Sequence, residues 1–111
     1  FEIVVAPSPS EMDSASTINA LIIKNKNKAL NINELAGLIK RSSFIIANDT
    51  GPAHMAAHLG MKGLVLFGHH TTPKKVSIET EKFKALETKD LDKLTAEFVY
   101  SKIKDELILI N

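Results

Sequence analysis

Ile45-Ile46-Ala47-Asn48-Asp49-Thr50-Gly51-Pro52-Ala53-His54 runs without interruption from an apolar stretch, through a short polar turn, into the first residues of a helix. The stretch begins at Phe44 and lacks polar alternation, the pattern of a parallel strand covered on both faces. Pro52 suits the first helical position, because its fixed φ is helical and its missing amide would be unpaired there anyway. Gly60 suits the residue just past the helix end, where a left-handed backbone is common. A second unbroken apolar run, Leu64-Val65-Leu66-Phe67, follows. Strand, helix and strand in this order predict a parallel pair joined by a right-handed crossover.

Upstream, Asn31 precedes Ile32, Leu35, Ala36, Leu38 and Ile39 at helical spacing, and Glu34 stands three residues after it as in a capping box. A helix from there to about Arg41 follows. Glu2-Ile3-Val4-Val5-Ala6 and Ala20-Leu21-Ile22-Ile23 are short apolar runs that read as two further strands. The first is ended by Pro7-Ser8-Pro9-Ser10, which predicts a loop; the second by Lys24-Asn25-Lys26-Asn27-Lys28, which reads as a solvated connection. Downstream, His69-His70-Thr71-Thr72-Pro73-Lys74-Lys75 predicts a long functional loop, with no periodic pattern before Val76-Ser77-Ile78 or Phe83. Phe98, Val99, Ile103 and Leu107 after a Thr95 cap predict an amphipathic closing helix, and Leu107-Ile108-Leu109-Ile110 suits either its core face or an interface. The whole is an α/β pattern: a parallel sheet with helices on both faces, whose ligands bind beyond the carboxyl ends of the strands.

Composition narrows the function classes. The 111 residues match one domain of ordinary size, and 44% hydrophobic with 24% charged residues is the balance of a chain that folds around a core. With 14 basic and 13 acidic residues the net charge is +1, and the lysines are scattered, so nucleic acid is not an expected partner. The absence of cysteine excludes disulfides and thiolate chemistry and fits a cytoplasmic protein. No apolar run approaches the roughly 20 residues that span a bilayer. The chain opens on Phe1 directly in a strand-like run and is read as a fragment.

The Asp49 turn has the chemistry of an anion site. Gly51 puts no side chain between backbone and ligand and tolerates a positive φ. The amides of the first helical turn lack helical partners, and the helix dipole adds partial positive charge beside them. Thr50 offers a hydroxyl and His54 an imidazole on the same turn. Asp49 would repel phosphate, so it is expected to accept from ligand hydroxyls or from the turn's own amides. A ligand with both phosphate and hydroxyls, such as a sugar nucleotide, satisfies all four. The plainer alternative is that Asp49, Thr50 and Gly51 only cap a helix. His54 and His58 share a helix face, so a metal site with His69 or His70 is also considered, although the glutamate of a zinc-protease helix is absent and no metal is expected.

The stretch Asn33 to Gly68 resembles the second domain of the glycosyltransferase family 9 heptosyltransferases, which transfer heptose from ADP-heptose onto the lipopolysaccharide inner core. The resemblance is carried by Glu34-Leu35-Ala36-Gly37-Leu38-Ile39, by Asn48-Asp49-Thr50-Gly51-Pro52-Ala53-His54-Met55-Ala56-Ala57, and by Leu59-Gly60 followed by Leu66-Phe67-Gly68. It implies a Rossmann-like second domain of the GT-B type, residues 1–111 forming a single donor-binding domain whose N-terminal acceptor domain is missing. Asp49, Thr50, Gly51 and His54 fall on the family's diphosphate and sugar motif. Glu11 matches its acidic residue after the preceding strand, and Leu30 falls where that family contacts adenine through the backbone. The implied partners are a sugar nucleotide, the acceptor domain and, through it, lipopolysaccharide, at the cytoplasmic face of the inner membrane. No cofactor is implied, and no catalytic residue is assignable in this chain.

Two departures border the implied pocket: Ala6-Pro7-Ser8 lacks the family's glycine, and His69-His70-Thr71 replaces a proline-threonine pair. Two other readings stay open. One is a degenerate or split domain that binds without chemistry. The other takes Asp49-Thr50-Gly51 as an aspartic-protease triplet, against which stand Pro52 and the alanine-rich helix.

Overall fold

The structure is a computed structural model that describes residues 2–68 and 78–110. The predicted loop from His69 to Lys75 lies outside the described residues. The chain divides into two compact units, one up to Leu38 and one from Ile39 onward, and the division falls within a helix.

In the first unit, β1 (Val4–Val5) pairs in parallel with β2 (Leu21–Ile22), Val4 opposite Leu21 and Val5 opposite Ile22. The chain between them is not the loop that the prolines predict. Pro9–Glu11 forms a 3-10 turn that leads into α1 (Met12–Ala15). Proline breaks a helix only from inside; here it stands at the helix entrance, where no amide is needed. After β2, Asn25 and Lys28 exchange both backbone hydrogen bonds at 2.9 Å, and Lys26 and Asn27 take φ of 51° and 66°. The lysine-rich connection is therefore a tight two-residue turn with both central residues left-handed. α2 (Ile32–Arg41) starts at the predicted box: the Glu34 amide donates to Asn31 Oδ1 at 2.8 Å, and the Asn31 amide donates to Glu34 Oε1 at 2.9 Å.

The second unit is built on a three-stranded parallel sheet in the order β3 (Ile45–Asn48), β4 (Gly63–Phe67), β5 (Phe83–Glu87). The parallel sheets with flanking helices are the α/β fold that the pattern predicts, Rossmann-like in kind. Asn48 stands opposite Leu66 and Phe67 opposite Glu87, so all three strands end at the same edge. Central β4 is covered as its unbroken apolar run requires, with Val65 and Phe67 fully buried. α3 (Gly51–His58) lies against β3 and β4 and buries Ala53, Ala56 and Ala57, whose small side chains allow helix and sheet to approach closely. The helix begins at Gly51, one residue before the predicted Pro52. It stops where predicted: Gly60 has φ 74°, its amide donates to Ala57 O at 3.1 Å, and the Met61 amide reaches Ala56 O at 3.1 Å. That pair of bonds is a Schellman motif.

β5 is an element that no periodicity in Phe83-Lys84-Ala85-Leu86-Glu87 announces; Phe83 is fully buried and the strand is completed by its register on β4. The closing helix α4 (Ala96–Ile110) has its Thr95 cap, whose Oγ1 accepts from the Phe98 amide at 3.1 Å. Its apolar face is only partly buried. Ile103 is covered, whereas Phe98 is exposed beneath Lys102 Nζ at 5.0 Å, and Ile108 and Leu109 are 67% and 79% exposed.

Gly63, opposite both Ile45 and Phe83, explains why this position carries no side chain. A methyl group there would run into the Ile45 carbonyl oxygen and lie 3.3 Å from the Phe83 ring. Gly63→Ala is expected to destabilise the fold by about 1–3 kcal/mol through strand displacement, read as a lower midpoint in urea at unchanged slope.

Candidate functional site

The turn after β3 lies at the carboxyl end of the parallel sheet, where such sheets take their ligands. Asp49 and Thr50 leave the strand, Thr50 in an extended conformation with φ −143° and ψ 172°, and Gly51 is the first residue of α3. The first helical bond runs from the His54 amide to Thr50 O at 3.2 Å.

Thr50 occupies the cap position but makes no side-chain cap bond; its hydroxyl turns back and donates to Asn48 O at 3.3 Å. The plain capping alternative therefore fails for Thr50, and its hydroxyl takes up none of the first-turn amides. Gly51 differs from expectation. Gly60 is the only glycine with a positive φ among the described residues, so Gly51 is not needed for a left-handed turn. What it provides is space: a methyl group placed on Gly51 would meet no atom within 4 Å. Asp49 and His54 converge, with His54 Nε2 3.4 Å from Asp49 Oδ1 and the two side chains 39% and 22% exposed in that order. The carboxylate thus orients the imidazole at the mouth of the turn. Asp49, Thr50, Gly51 and His54 thus lie together at one strand end.

His58 is exposed one turn further along α3, while His69 and His70 lie outside the described residues. Among the described residues no three His, Asp or Glu side chains are grouped to hold a metal ion. The aspartic-protease reading fails on topology, because Asp49-Thr50-Gly51 leaves a parallel strand and enters a helix.

Glu11 and Leu30 belong to the first unit. Glu11 ends the 3-10 turn, and its Oε1 accepts the Ser8 amide at 3.0 Å. That backbone bond, then the Ser8 hydroxyl, hold its carboxyl below the usual glutamate value. Ser8-Pro9-Ser10-Glu11, a serine three residues before a glutamate with proline between, is the local signal that could have marked this helix start. Leu30 lines an open cavity of about 500 Å³ with Pro9, Met12, Asn27, Lys28 and Ala29. Among the described residues, the backbone amides and carbonyls of Ala29 and Leu30 have no partner in the protein. Nothing in the sequence singled out the other five lining residues. Pro9 read as a loop, and Asn27 and Lys28 as a solvated stretch.

The family model for glycosyltransferase family 9 (heptosyltransferase) matches residues 9–101. The chain belongs to that family, which makes it a glycosyltransferase-family protein and points to a sugar-nucleotide donor. Comparison with curated proteins gives no match, and comparison with solved structures gives none.

The lowered Glu11 carboxyl has a titratable consequence. A carboxylate depressed in the folded state contributes stability that is complete above its unfolded pKa and is lost as pH falls through the folded one. Carboxyl-carbon NMR is expected to find Glu11 titrating below the ordinary glutamate range, with Ser8→Ala bringing it only part of the way back because the backbone amide remains.

Proposed function

We propose that this chain is the donor-binding part of an inverting glycosyltransferase, holding the diphosphate of ADP-heptose or a related sugar nucleotide at Asp49, Thr50, Gly51 and His54. The observation that carries this is the open space over Gly51 at the carboxyl end of the sheet, beside a helix start that the Thr50 side chain leaves uncapped. A phosphate there accepts from the first-turn amides and lies in the positive end of the α3 dipole. Asp49 accepts from sugar hydroxyls and orients His54, and it does not serve as base, because it stands on the leaving-group side of the donor.

In the transfer itself a base on the acceptor domain takes the proton from the acceptor hydroxyl, that oxygen attacks the anomeric carbon, and the nucleoside diphosphate leaves with the bonding pair. The helix start stabilises the charge that develops on the departing phosphate. On this reading the reaction belongs to lipopolysaccharide core assembly in the cytoplasm beside the inner membrane. The acceptor domain is the partner, and this chain alone binds the donor without turnover. Glu11 and Leu30 are proposed donor contacts of the first unit. Leu30 is supported by its place in the cavity and by its unpartnered backbone groups.

Titration with ADP followed by amide NMR is expected to give saturable shifts at Thr50, Gly51 and His54. No response at millimolar ADP would falsify the donor assignment. Gly51→Ala separates ligand binding from folding: the helical backbone accepts alanine and nothing crowds the methyl, so stability holds or rises by about 0.4–1 kcal/mol. ADP binding is expected to weaken by about tenfold or more, because the methyl stands where the phosphate must approach.

A further inference from the structure

The wall of the first-unit cavity contains a tight turn that is tied to the start of α2 by side chains outside the cavity. Lys26 and Asn27 are both left-handed, with φ of 51° and 66°. Asparagine tolerates that region, and lysine is held in it by the two-residue turn that the reciprocal Asn25–Lys28 backbone bonds close. A side-chain bridge ties that turn to α2. Asn25 Nδ2 donates to Glu34 Oε2, while Glu34 Oε1 accepts the Asn31 amide at 2.9 Å. One carboxylate thus spends its two oxygens on the two ends of a short segment: the turn at Asn25 and the first turn of α2 at Asn31. The residues between these anchors include Asn27, Lys28, Ala29 and Leu30, four of the six that line the cavity.

The geometry points to Asn25 and Glu34 as positioning residues for ligand binding in this cavity. They do not line it. They fix the turn so that the side chains of Asn27, Lys28 and Leu30 and the backbone groups of Ala29 and Leu30 stand in place before a ligand arrives. The ordering of this wall is then settled at folding and does not weaken binding. The occupant is the nucleoside part of a sugar nucleotide, an identification that rests on the donor reading above. Pro9, Met12 and Leu30 offer apolar surface to a flat ring, and the unpartnered backbone groups suit its polar edge.

Asn25→Ala isolates the effect, because it cuts the tie to the turn and leaves the Asn31–Glu34 capping box whole. Glu34→Gln is the conservative variant. Its carbonyl still accepts from the Asn31 amide, and its amide can donate to Asn25 once the Asn25 side chain flips. Calorimetric titration of the chain with AMP and, separately, with inorganic pyrophosphate reads the outcome, and amide hydrogen exchange of the free protein reads the wall itself. For Asn25→Ala, AMP binding is expected to weaken about five- to tenfold through lost preorganisation, with pyrophosphate binding unchanged. Exchange from Lys26 to Leu30 should quicken while the melting temperature barely moves, and Glu34→Gln should bind AMP as the parent does. Asn25→Ala binding AMP with parental affinity, or losing AMP and pyrophosphate equally, would overturn the positioning role while leaving the donor reading intact. A parent chain that binds pyrophosphate but not AMP overturns the nucleoside occupant and the positioning role with it. One that binds neither overturns the donor reading as well.

Discussion

Parallel pairing of β3 on β4, with Ile45 opposite Gly63 and Asn48 opposite Leu66, sets the position of everything that follows in the second unit. The close approach of the two backbones depends on Gly63, since any side chain there meets the Ile45 carbonyl. That register ends β3 level with β4 and delivers Asp49 and Thr50 to the sheet's carboxyl edge. A shift by one residue would turn every side chain of β3 to the opposite face and move the turn away from that edge. The alanine face of α3 then fixes the direction in which the helix leaves, because Ala53, Ala56 and Ala57 have to lie flat on β3 and β4.

Within the turn the work is divided by what each residue does not do. Gly51 carries no side chain, although its backbone would permit one, and Pro52 carries no amide, although the position would leave it unpaired. Thr50 uses its hydroxyl on the strand behind it and leaves the helix start alone. A helix that existed only for packing would be steadier with a capping side chain in that place, by about 1 kcal/mol. Asp49 and His54 hold one another beside the opening.

The first unit repeats one device at two places. Ser8 with Glu11, and Asn31 with Glu34, each put a carboxylate three residues into a helix and bend it back to the chain's own amide. Glu11 shows the electrostatic effect of this bond in its lowered carboxyl. Glu34 goes further by tying in Asn25, so that a helix cap also restrains a turn. In both cases an acidic side chain serves the backbone.

Local chemistry determined much of this protein before any contact was known. Asn31 with Glu34, Thr95, Pro52 and Gly60 mark helix limits through hydrogen bonds and backbone angles that close within a few residues, so the sequence alone contains both partners. The unbroken runs at Phe44–Ala47 and Leu64–Phe67 likewise announce parallel strands, but burial on both faces holds only for β4; Ile46 of β3 is 51% exposed, because only one face of that strand is covered. The Asp49 turn was legible for the same reason, its strand end and helix start being adjacent in sequence. Tertiary structure decided the remainder. The tie between the turn at Asn25 and the start of α2 exists only once the Asn25 side chain reaches Glu34. β5 becomes a strand by pairing with β4, and Phe98 proves exposed where its spacing predicted burial. The need for glycine at residue 63 and the open space over Gly51 are facts about neighbours distant in sequence or absent, and only packing in three dimensions can specify those.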